Sequence, residues 1–261
     1  MMGRTDSQFR YLIRLISEKT VLFTEMIHSN AILYGNKNKL EEYSENENPI
    51  VLQLGGNDPE SLAKVSKMAN MFNYDEINLN LGCPSPRVSN GGFGAAMMNH
   101  PQLVCDCLNA IKENFNKEVS VKIRLGTDDN DIDETLDNFV KEIESCDIKI
   151  FYVHARKAIL KGLSPKQNRE IPPLNYERVR KLKDDFPDLE IIINGGIKKL
   201  SFLQDNDLQN LDGIMIGREA YSNPLIFKDV DKKIKAELNR DISIYEICLL
   251  YTSPSPRDSI A

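Results

Sequence analysis

Short apolar runs alternate along the chain with amphipathic stretches, and the alternation is regular. The apolar runs mostly stop at glycine or polar residues, which predicts strands over 21–27, 50–54, 76–81, 119–125, 148–154, 189–194 and 213–216. Apolar residues at helical spacing predict helices over 7–16, 59–72, 103–115, 133–143, 176–186 and 201–208. Several strands are almost continuously hydrophobic, as is typical of a parallel sheet covered on both faces.

This alternation indicates βαβ units and an α/β fold. Seven strands behind a leading helix favour a TIM (β/α)₈ barrel that lacks its first strand, because polar residues and glycines gather where the strands end. A doubly wound sheet is the structural alternative. On the barrel interpretation the chain is truncated at both ends. We expect the barrel over 1–225, the start of a C-terminal helical domain over 226–247, and a non-native or disordered tail over 248–261.

Composition narrows the class of protein only a little. Apolar residues make up 41% and charged residues 28%, as is ordinary for a globular protein. The net charge of -6 does not indicate a nucleic-acid-binding protein, although basic residues can still cluster on one face. The five cysteines show neither a disulfide framework nor a metal-binding spacing, which indicates a reduced, intracellular protein. Without a signal peptide or a membrane-spanning run, we expect a cytoplasmic protein, with an organelle left open.

The densest group of polar residues lies at the end of the third predicted strand and in the loop after it. Asn78, Asn80 and Gly82-Cys83-Pro84-Ser85 lead into a glycine-rich loop over 91–95. A cysteine at the mouth of a barrel serves as a nucleophile, a metal ligand or a general acid, whereas a lone cysteine is more often a buried thiol. The polar and glycine-rich surroundings favour a chemical role for Cys83.

Further polar side chains stand at successive strand ends. Lys122 and Arg124 share one face of their strand by its period of two, and an inward cationic pair is costly unless it meets an anion or an electron-rich ring. Gln53 and His154 also end strands. Their recurrence indicates one shared pocket.

The last two strands end in glycines. Gly195-Gly196 and Gly217-Arg218 occupy the loops that commonly bind phosphate in barrels, although glycine also serves simply as turn punctuation. No P-loop or dinucleotide fingerprint occurs, so the phosphate would belong to a cofactor bound by the barrel. A basic loop over 154–170 is suited to contact a polyanion, or is simply solvated.

Together these segments resemble the tRNA-dihydrouridine synthases, and specifically the branch known as dihydrouridine synthase A. The resemblance covers nearly all of residues 1 to about 230. The motif Asn78-x-Asn80-x-Gly82-Cys83-Pro84-Ser85 carries the family resemblance, and the runs over 162–166 and 168–174 mark the branch.

The resemblance implies an FMN-bound barrel that uses NADPH to reduce the C5–C6 double bond of D-loop uridines in tRNA, chiefly at positions 20 and 20a. It implies that the flavin is held by Met1, Met2, Gln53, Lys122, His154, Asn194, Gly195, Gly196, Gly217 and Arg218. The substrate would be bound by Asn80, Arg124, Arg156, Lys157 and Arg169. Hydride would reach C6, and Cys83 would protonate C5 from the opposite face. We expect a monomer without a metal.

The chain departs from the family pattern at its ends. The resemblance implies a C-terminal helical domain that helps to bind tRNA, of which only the start is present, over 226–247. The strand that precedes the two methionines is absent, and Gly3-Arg4 replaces a usually acidic and aromatic pair, which puts the flavin contacts of the first loop in doubt. Two alternatives stay open: an FMN barrel that acts on a small molecule, and an RNA-binding module that has lost catalysis.

Overall fold

Eight parallel strands form a curved sheet, with helices between them. The computed structural model describes residues 2–35, 40, 42 and 45–231. The strands are β1 Leu22–Phe23, β2 Ile27–His28, β3 Ile50–Gly55, β4 Glu76–Leu81, β5 Glu118–Arg124, β6 Ile150–His154, β7 Glu190–Asn194 and β8 Gly213–Met215. Met1, residues 232–247 of the predicted helical domain and the predicted tail over 248–261 lie outside the described residues.

The helices lie on the outside of this sheet. They are α1 Ser7–Ile16, α2 Ser29–Leu33, α3 Pro59–Ala69, α4 Pro86–Asn90, α5 Pro101–Lys112, α6 Glu134–Ser145, α7 Tyr176–Asp185, α8 Phe202–Asp205 and α9 Arg218–Ser222, with 3₁₀ turns at Glu45–Glu47, Gly94–Asn99, Gln167–Arg169 and Pro224–Asp229. Local chemistry sets their starts: Asp58 accepts from the Ser61 N–H and Pro59 occupies the first turn of α3. The sequence missed the short helices α2, α4 and α9.

The order of the strands distinguishes a barrel from a doubly wound sheet. Neighbours run in chain order from β1 and β3 through β8, and every pair is parallel. A doubly wound sheet would reverse its order at a switch point. Within the described residues β8 pairs only with β7, so the sheet is a curved, open part of a barrel. The predicted α/β barrel class is confirmed.

The structure divides the first predicted strand, over 21–27, into the two short strands β1 and β2. β1 pairs with Ile50 and Val51, β2 pairs with Leu54 and Gly55, and the chain leaves the sheet between them. The break lies at Thr24. There the Gln53 N–H donates to the Thr24 side-chain hydroxyl at 2.9 Å instead of to a main-chain carbonyl of the neighbouring strand. The other strand boundaries differ from the prediction by at most two residues.

The predicted reduced state of the cysteines is wrong for one pair. Cys105 on α5 forms a disulfide with Cys146 at the end of α6, 41 residues away. The spacing does not show this pairing, because it depends on two helices packing side by side. Cys83 and Cys107 are free, and Cys248 lies outside the described residues.

The C-terminal part of the described chain packs on α1. Asp231 accepts from the Ser17 hydroxyl at 2.6 Å and from the Glu18 N–H at 2.7 Å. Residues 226–231 therefore lie against the barrel, and the predicted domain boundary at 225 stays a prediction. No helix among the described residues is long and apolar enough to cross a membrane.

Candidate active site

Polar side chains fill the interior of the sheet from one end to the other. The period of two along a strand places Asn78 and Asn80 of β4 on the same face, and the register pairs them with Ser120 and Lys122 of β5. Gln53 of β3 lies opposite Asn78. Buried polar groups persist only where they are paired or where a ligand meets them, so each needs an account of its partners.

Cys83 stands directly after β4 and is half-buried. The Asn80 side-chain oxygen accepts from the backbone N–H groups of Gly82 at 3.2 Å and Cys83 at 2.9 Å, which fixes the turn. The glycine-rich loop packs onto this turn, and a Cβ at Gly94 would lie 2.7 Å from the Cys83 carbonyl oxygen. The thiol is therefore held on a backbone with little freedom.

The predicted flavin residue Gln53 and the predicted uracil residue Asn80 are in contact. The Asn80 Nδ2 donates to Gln53 Oε1 at 3.0 Å. The Asn80 amide thus donates through its nitrogen to Gln53 and accepts through its oxygen from the turn at Gly82 and Cys83, which we call the cysteine turn. Asn80 and Gln53 are both buried.

Lys122 points toward Asn194 at the mouth of the barrel, by which we mean the end where the carboxyl ends of the strands meet. Its Nζ donates to Asn194 Oδ1 at 3.3 Å, and Asn194 in turn donates to the Met215 carbonyl at 2.7 Å. Burial, with the nearby charge of Arg124 adding to it, lowers the pKa of Lys122 to about 7. An anion or an electron-rich group beside Lys122 would restore its positive charge.

His154 ends β6 and is buried against the loop that follows β7. Burial lowers the pKa of His154 well below its ordinary value, and the charges of Arg124 and Lys122 lower it further, so the imidazole is neutral at pH 7. A Cβ at Gly195 would lie 2.8 Å from His154 Cδ2, and Gly195 has φ +122°. Only glycine allows the loop to approach the ring this closely.

Arg124 joins the cysteine turn to the basic loop. Its guanidinium donates to the carbonyls of Gly82 at 3.1 Å, Lys157 at 3.2 Å and Asn168 at 3.0 Å. Burial is the main cause that lowers its pKa, to about 10, and Arg169 and Arg156 contribute. All three of these acceptors are neutral carbonyls.

The basic loop over 154–170 folds back on itself and is held in place by hydrogen bonds. Asn168 is fully buried; its amide accepts from the Ile159 N–H and donates to the Ile159 carbonyl, each at 2.8 Å. Arg156 is also buried; it donates to the Pro172 carbonyl, while its Nε has no hydrogen-bond partner among the described residues. Lys157 donates to the Asn130 carbonyl at 2.7 Å, and Arg169 is half-buried. Arg156 therefore lies under the loop, whereas Lys157 and Arg169 lie nearer its surface.

The remaining predicted cofactor residues are less closely grouped. Gly196 has φ +68°, and a Cβ there would lie 2.8 Å from the Tyr176 hydroxyl. Gly217 precedes α9, and the exposed Arg218 reaches Glu170 at 3.5 Å. Met2 is exposed, and its flavin contact stays a prediction.

The electrostatic balance of the mouth is one-sided. In the part of the chain that the structure describes, Lys122, Arg124 and Arg156 make no ion pair with a carboxylate. No group of three or more metal-binding side chains occurs among the same residues. The arrangement suits a ligand that brings negative charge and accepts hydrogen bonds.

Sequence reasoning missed Glu76, Ser120 and Tyr152, which lie below the mouth. Glu76 accepts from the Ser120 hydroxyl and from the Tyr152 hydroxyl at 3.3 Å. The period of two would have found them, since Glu76 shares the face of Asn80, and Ser120 shares the face of Lys122. They were passed over because they do not end a strand.

Comparison with known proteins places the chain in a family, and the chain spans about seven-tenths of the length of the relatives that it matches. The family model described as dihydrouridine synthase matches residues 1–250. The tRNA-dihydrouridine(20/20a) synthase of Escherichia coli K12 is 50% identical over 242 residues, covering 92% of this chain and 70% of that protein. The enzyme of the same name from Vibrio parahaemolyticus is 52% identical over 235 residues, covering 90% and 72%.

The fold is also shared with more distant proteins. A crystal structure of 2,3-dimethylmalate lyase, of the PEP mutase/isocitrate lyase superfamily, superposes with a TM-score of 0.54 at 11% identity, over 95% of this chain and 87% of that one. At this identity the likeness concerns the fold alone.

Proposed function

Because the chain belongs to the dihydrouridine synthase family, we propose that it reduces the C5–C6 double bond of uridine in tRNA to give dihydrouridine. Relatives of this chain are named for positions 20 and 20a, and we propose the same target uridines here. The observation that carries the proposal is the Cys83 thiol, held on a fixed turn beside a group of cations that lack carboxylate partners within the described part of the chain.

The donor set of the mouth fits FMN as the cofactor. Lys122 and His154 would face the flavin with Gln53, while Asn194, Gly195 and Gly196 would lie along it and Gly217 and Arg218 would approach its phosphate. Arg156 Nε, which has no hydrogen-bond partner among the residues that the structure describes, and the lowered pKa of Lys122 both fit a ligand that brings electron density. When bound and reduced by NADPH, FMN would supply the hydride for C6 of uridine.

Cys83 supplies the proton to C5 in this proposal. Hydride addition at C6 and proton addition at C5 saturate the double bond, and NADPH with one proton is consumed for each uridine. The thiolate that remains would take up a proton from solvent before the next turnover. Arg124 lies beside this turn, because its Nε donates to the Gly82 carbonyl at 3.1 Å.

Asn80 and Arg124 would orient the uracil next to the thiol. The Asn80 side chain accepts from the Cys83 N–H, and Arg124 donates to the Gly82 carbonyl, so both side chains are held close to Cys83. A uridine inside a folded tRNA must leave its stack to reach this depth. Lys157 and Arg169, closer to the surface of the basic loop, would bind the RNA backbone.

The test is to incubate the purified chain with FMN, NADPH and unmodified tRNA without oxygen, and to measure dihydrouridine by nucleoside mass spectrometry. We expect tRNA-dependent product that maps to positions 20 and 20a. NADPH oxidation by an added small molecule, with no dihydrouridine, would instead support a small-molecule flavin reductase. RNA binding without flavin binding would support a non-catalytic module.

A further inference from the structure

A continuous chain of hydrogen bonds runs through the barrel interior, from the lower end of β4 to the cysteine turn. We name it the interior relay; it consists of Glu76, Ser120, Asn78, Gln53 and Asn80. The Ser120 hydroxyl donates to Glu76, Asn78 Nδ2 donates to Ser120 at 2.7 Å, and Gln53 Nε2 donates to Asn78 at 2.9 Å. Asn80 completes the relay by donating to Gln53 at 3.0 Å. All five side chains are buried.

The relay has a direction. Every donor points toward Glu76, so each amide oxygen is left to accept from the next residue toward the mouth. The last oxygen in this sequence, Asn80 Oδ1, accepts from the N–H groups of Gly82 and Cys83. If the amides turned over together, Asn80 would present its NH₂ group to those two donors, and both would lose their acceptor.

Glu76 determines which direction is adopted. An amide or a hydroxyl can both donate and accept, so the four other members of the relay allow either order. An ionised carboxylate can only accept, and it therefore requires Ser120 to donate toward it. Tyr152 donates to the other oxygen of the same carboxylate, at 3.3 Å, and lies off the relay.

We propose that Glu76 is a positioning residue for uridine reduction, which acts through Ser120, Asn78 and Gln53 to hold Asn80 in the orientation that fixes the Cys83 turn. This inference rests on the proposed function, since it concerns the same thiol. Its structural part can be tested on the free protein without tRNA or flavin.

The first experiment measures hydrogen exchange at the backbone N–H groups of Gly82 and Cys83. Glu76→Gln allows both directions of the relay, and Ser120→Ala interrupts it with the loss of one oxygen atom. We expect exchange at these two positions to rise about 3- to 10-fold in both variants, because the N–H groups lose a defined acceptor. Unchanged exchange in both variants would overturn the proposal.

Two controls separate the relay from general loosening of the core. Ser66→Ala removes a buried hydroxyl on α3 that has no hydrogen-bond partner among the described residues. Tyr152→Phe removes the bond to Glu76 that lies off the relay. Exchange at Gly82 and Cys83 should stay within twofold of wild type in both, and an equal rise in all four variants would contradict the relay. If Ser120→Ala does not melt cooperatively, Glu76→Gln decides the question alone.

The pH dependence provides a readout that a merely structural role would not give. Burial raises the pKa of Glu76 to about 7, and the groups that face it are the Ser120 and Tyr152 hydroxyls and the carboxylates of Glu118 and Glu190. Above this pH the carboxylate enforces the direction, whereas below it the protonated acid can itself donate. The exchange ratio of Glu76→Gln to wild type should therefore be larger at pH 8.5 than at pH 6, and a ratio that is independent of pH would overturn the assignment.

The functional part is tested with unmodified tRNA. We expect Glu76→Gln and Ser120→Ala to lower kcat about 10-fold and to leave the KM for tRNA within twofold, because the basic loop is untouched. Ser66→Ala should match wild type. Faster exchange with unchanged kcat would overturn the positioning role, whereas an inactive wild-type protein would count against the proposed function and leave the exchange result to be judged separately.

Discussion

At the lower end of β4 and β5 the barrel interior is polar and internally paired, whereas at the mouth it is cationic and short of counter-charges. Glu76 below is satisfied by the hydroxyls of Ser120 and Tyr152. Among the described residues, Lys122 and Arg124 above hydrogen-bond to neutral oxygens and make no ion pair. Both regions therefore bury ionisable groups among neutral partners, but the unpaired charge at the mouth is positive. The difference identifies the mouth as the place where a ligand completes the structure.

The largest expected effect comes from removing the proton donor at the mouth. Cys83→Ala should lower the rate of dihydrouridine formation by about 10²- to 10⁴-fold, which is the usual contribution of a general acid. Flavin absorbance should be retained. The matched control is Cys107→Ala on α5, since burial raises the pKa of that thiol to about 12 and it lies outside the mouth. Nearly full activity in Cys83→Ala would refute the acid assignment.

A second change tests the lower region through its stability. The folded-state pKa of Glu76, about 7, exceeds its ordinary value of 4.5, so its contribution to stability is complete below pH 4.5 and is lost as the pH rises through about 7. Glutamine does not titrate. Urea unfolding should therefore show Glu76→Gln gaining roughly 3 kcal/mol relative to wild type between pH 4.5 and pH 8.

The control for this comparison is Glu113→Gln, which removes an exposed carboxylate at the end of α5, away from Glu76. Its stability relative to wild type should change much less with pH, because an exposed charge keeps its water. We expect Glu76→Gln to be more stable at pH 8 and yet slower with tRNA. A variant that is both less stable at pH 8 and fully active would contradict the account of the lower region.

A third change weakens the mouth as a flavin site. Lys122→Met should raise the dissociation constant for FMN about 10- to 100-fold, since a hydrogen bond from a charged donor contributes about 1.5–3 kcal/mol. Fluorescence titration of FMN measures the effect. Lys64→Met on the outer face of α3 removes a lysine that pairs with Glu60 at the surface, and it should bind FMN like wild type. Equal affinities in the two variants would remove Lys122 from the site.

The smallest expected effect concerns the basic loop. Lys157→Ala and Arg169→Ala should each weaken tRNA binding about 3- to 10-fold and reduce the slope of log K against log salt by about 0.7 to 0.9. Filter binding at several salt concentrations measures both quantities. Lys181→Ala, which lies among the acidic residues of α6 and α7, should leave the slope unchanged. A slope unaffected by the two loop variants would place the RNA elsewhere.

The sequence predicted the fold well because hydrophobic periodicity reports which face of each element is buried. It failed at Thr24, where a side-chain hydroxyl replaces a backbone partner and divides one strand in two. It also failed at the Cys105–Cys146 disulfide, which depends on how α5 and α6 pack.

The candidate site shows the same limit, because a local sequence pattern does not report which residues meet in the folded chain. Residues at strand ends were found, because loops over a barrel mouth have recognisable composition. Glu76 and Ser120 were missed because a polar residue inside a strand gives no local sign of its partner. Arg156 looked like part of an exposed basic loop, and only the folded chain places it beneath that loop.

The most direct test of the central claim, that the mouth lacks negative charge until FMN binds, is the proton uptake that accompanies binding. At pH 8 a phosphate monoester is fully ionised, while Lys122, with its pKa lowered to about 7, is about nine-tenths neutral. Calorimetric titration with FMN in two buffers of different ionisation enthalpy gives the number of protons exchanged. We predict that about one proton is taken up by wild type and markedly less by Lys122→Met. Binding without proton uptake, or equal uptake in the two proteins, would contradict the account.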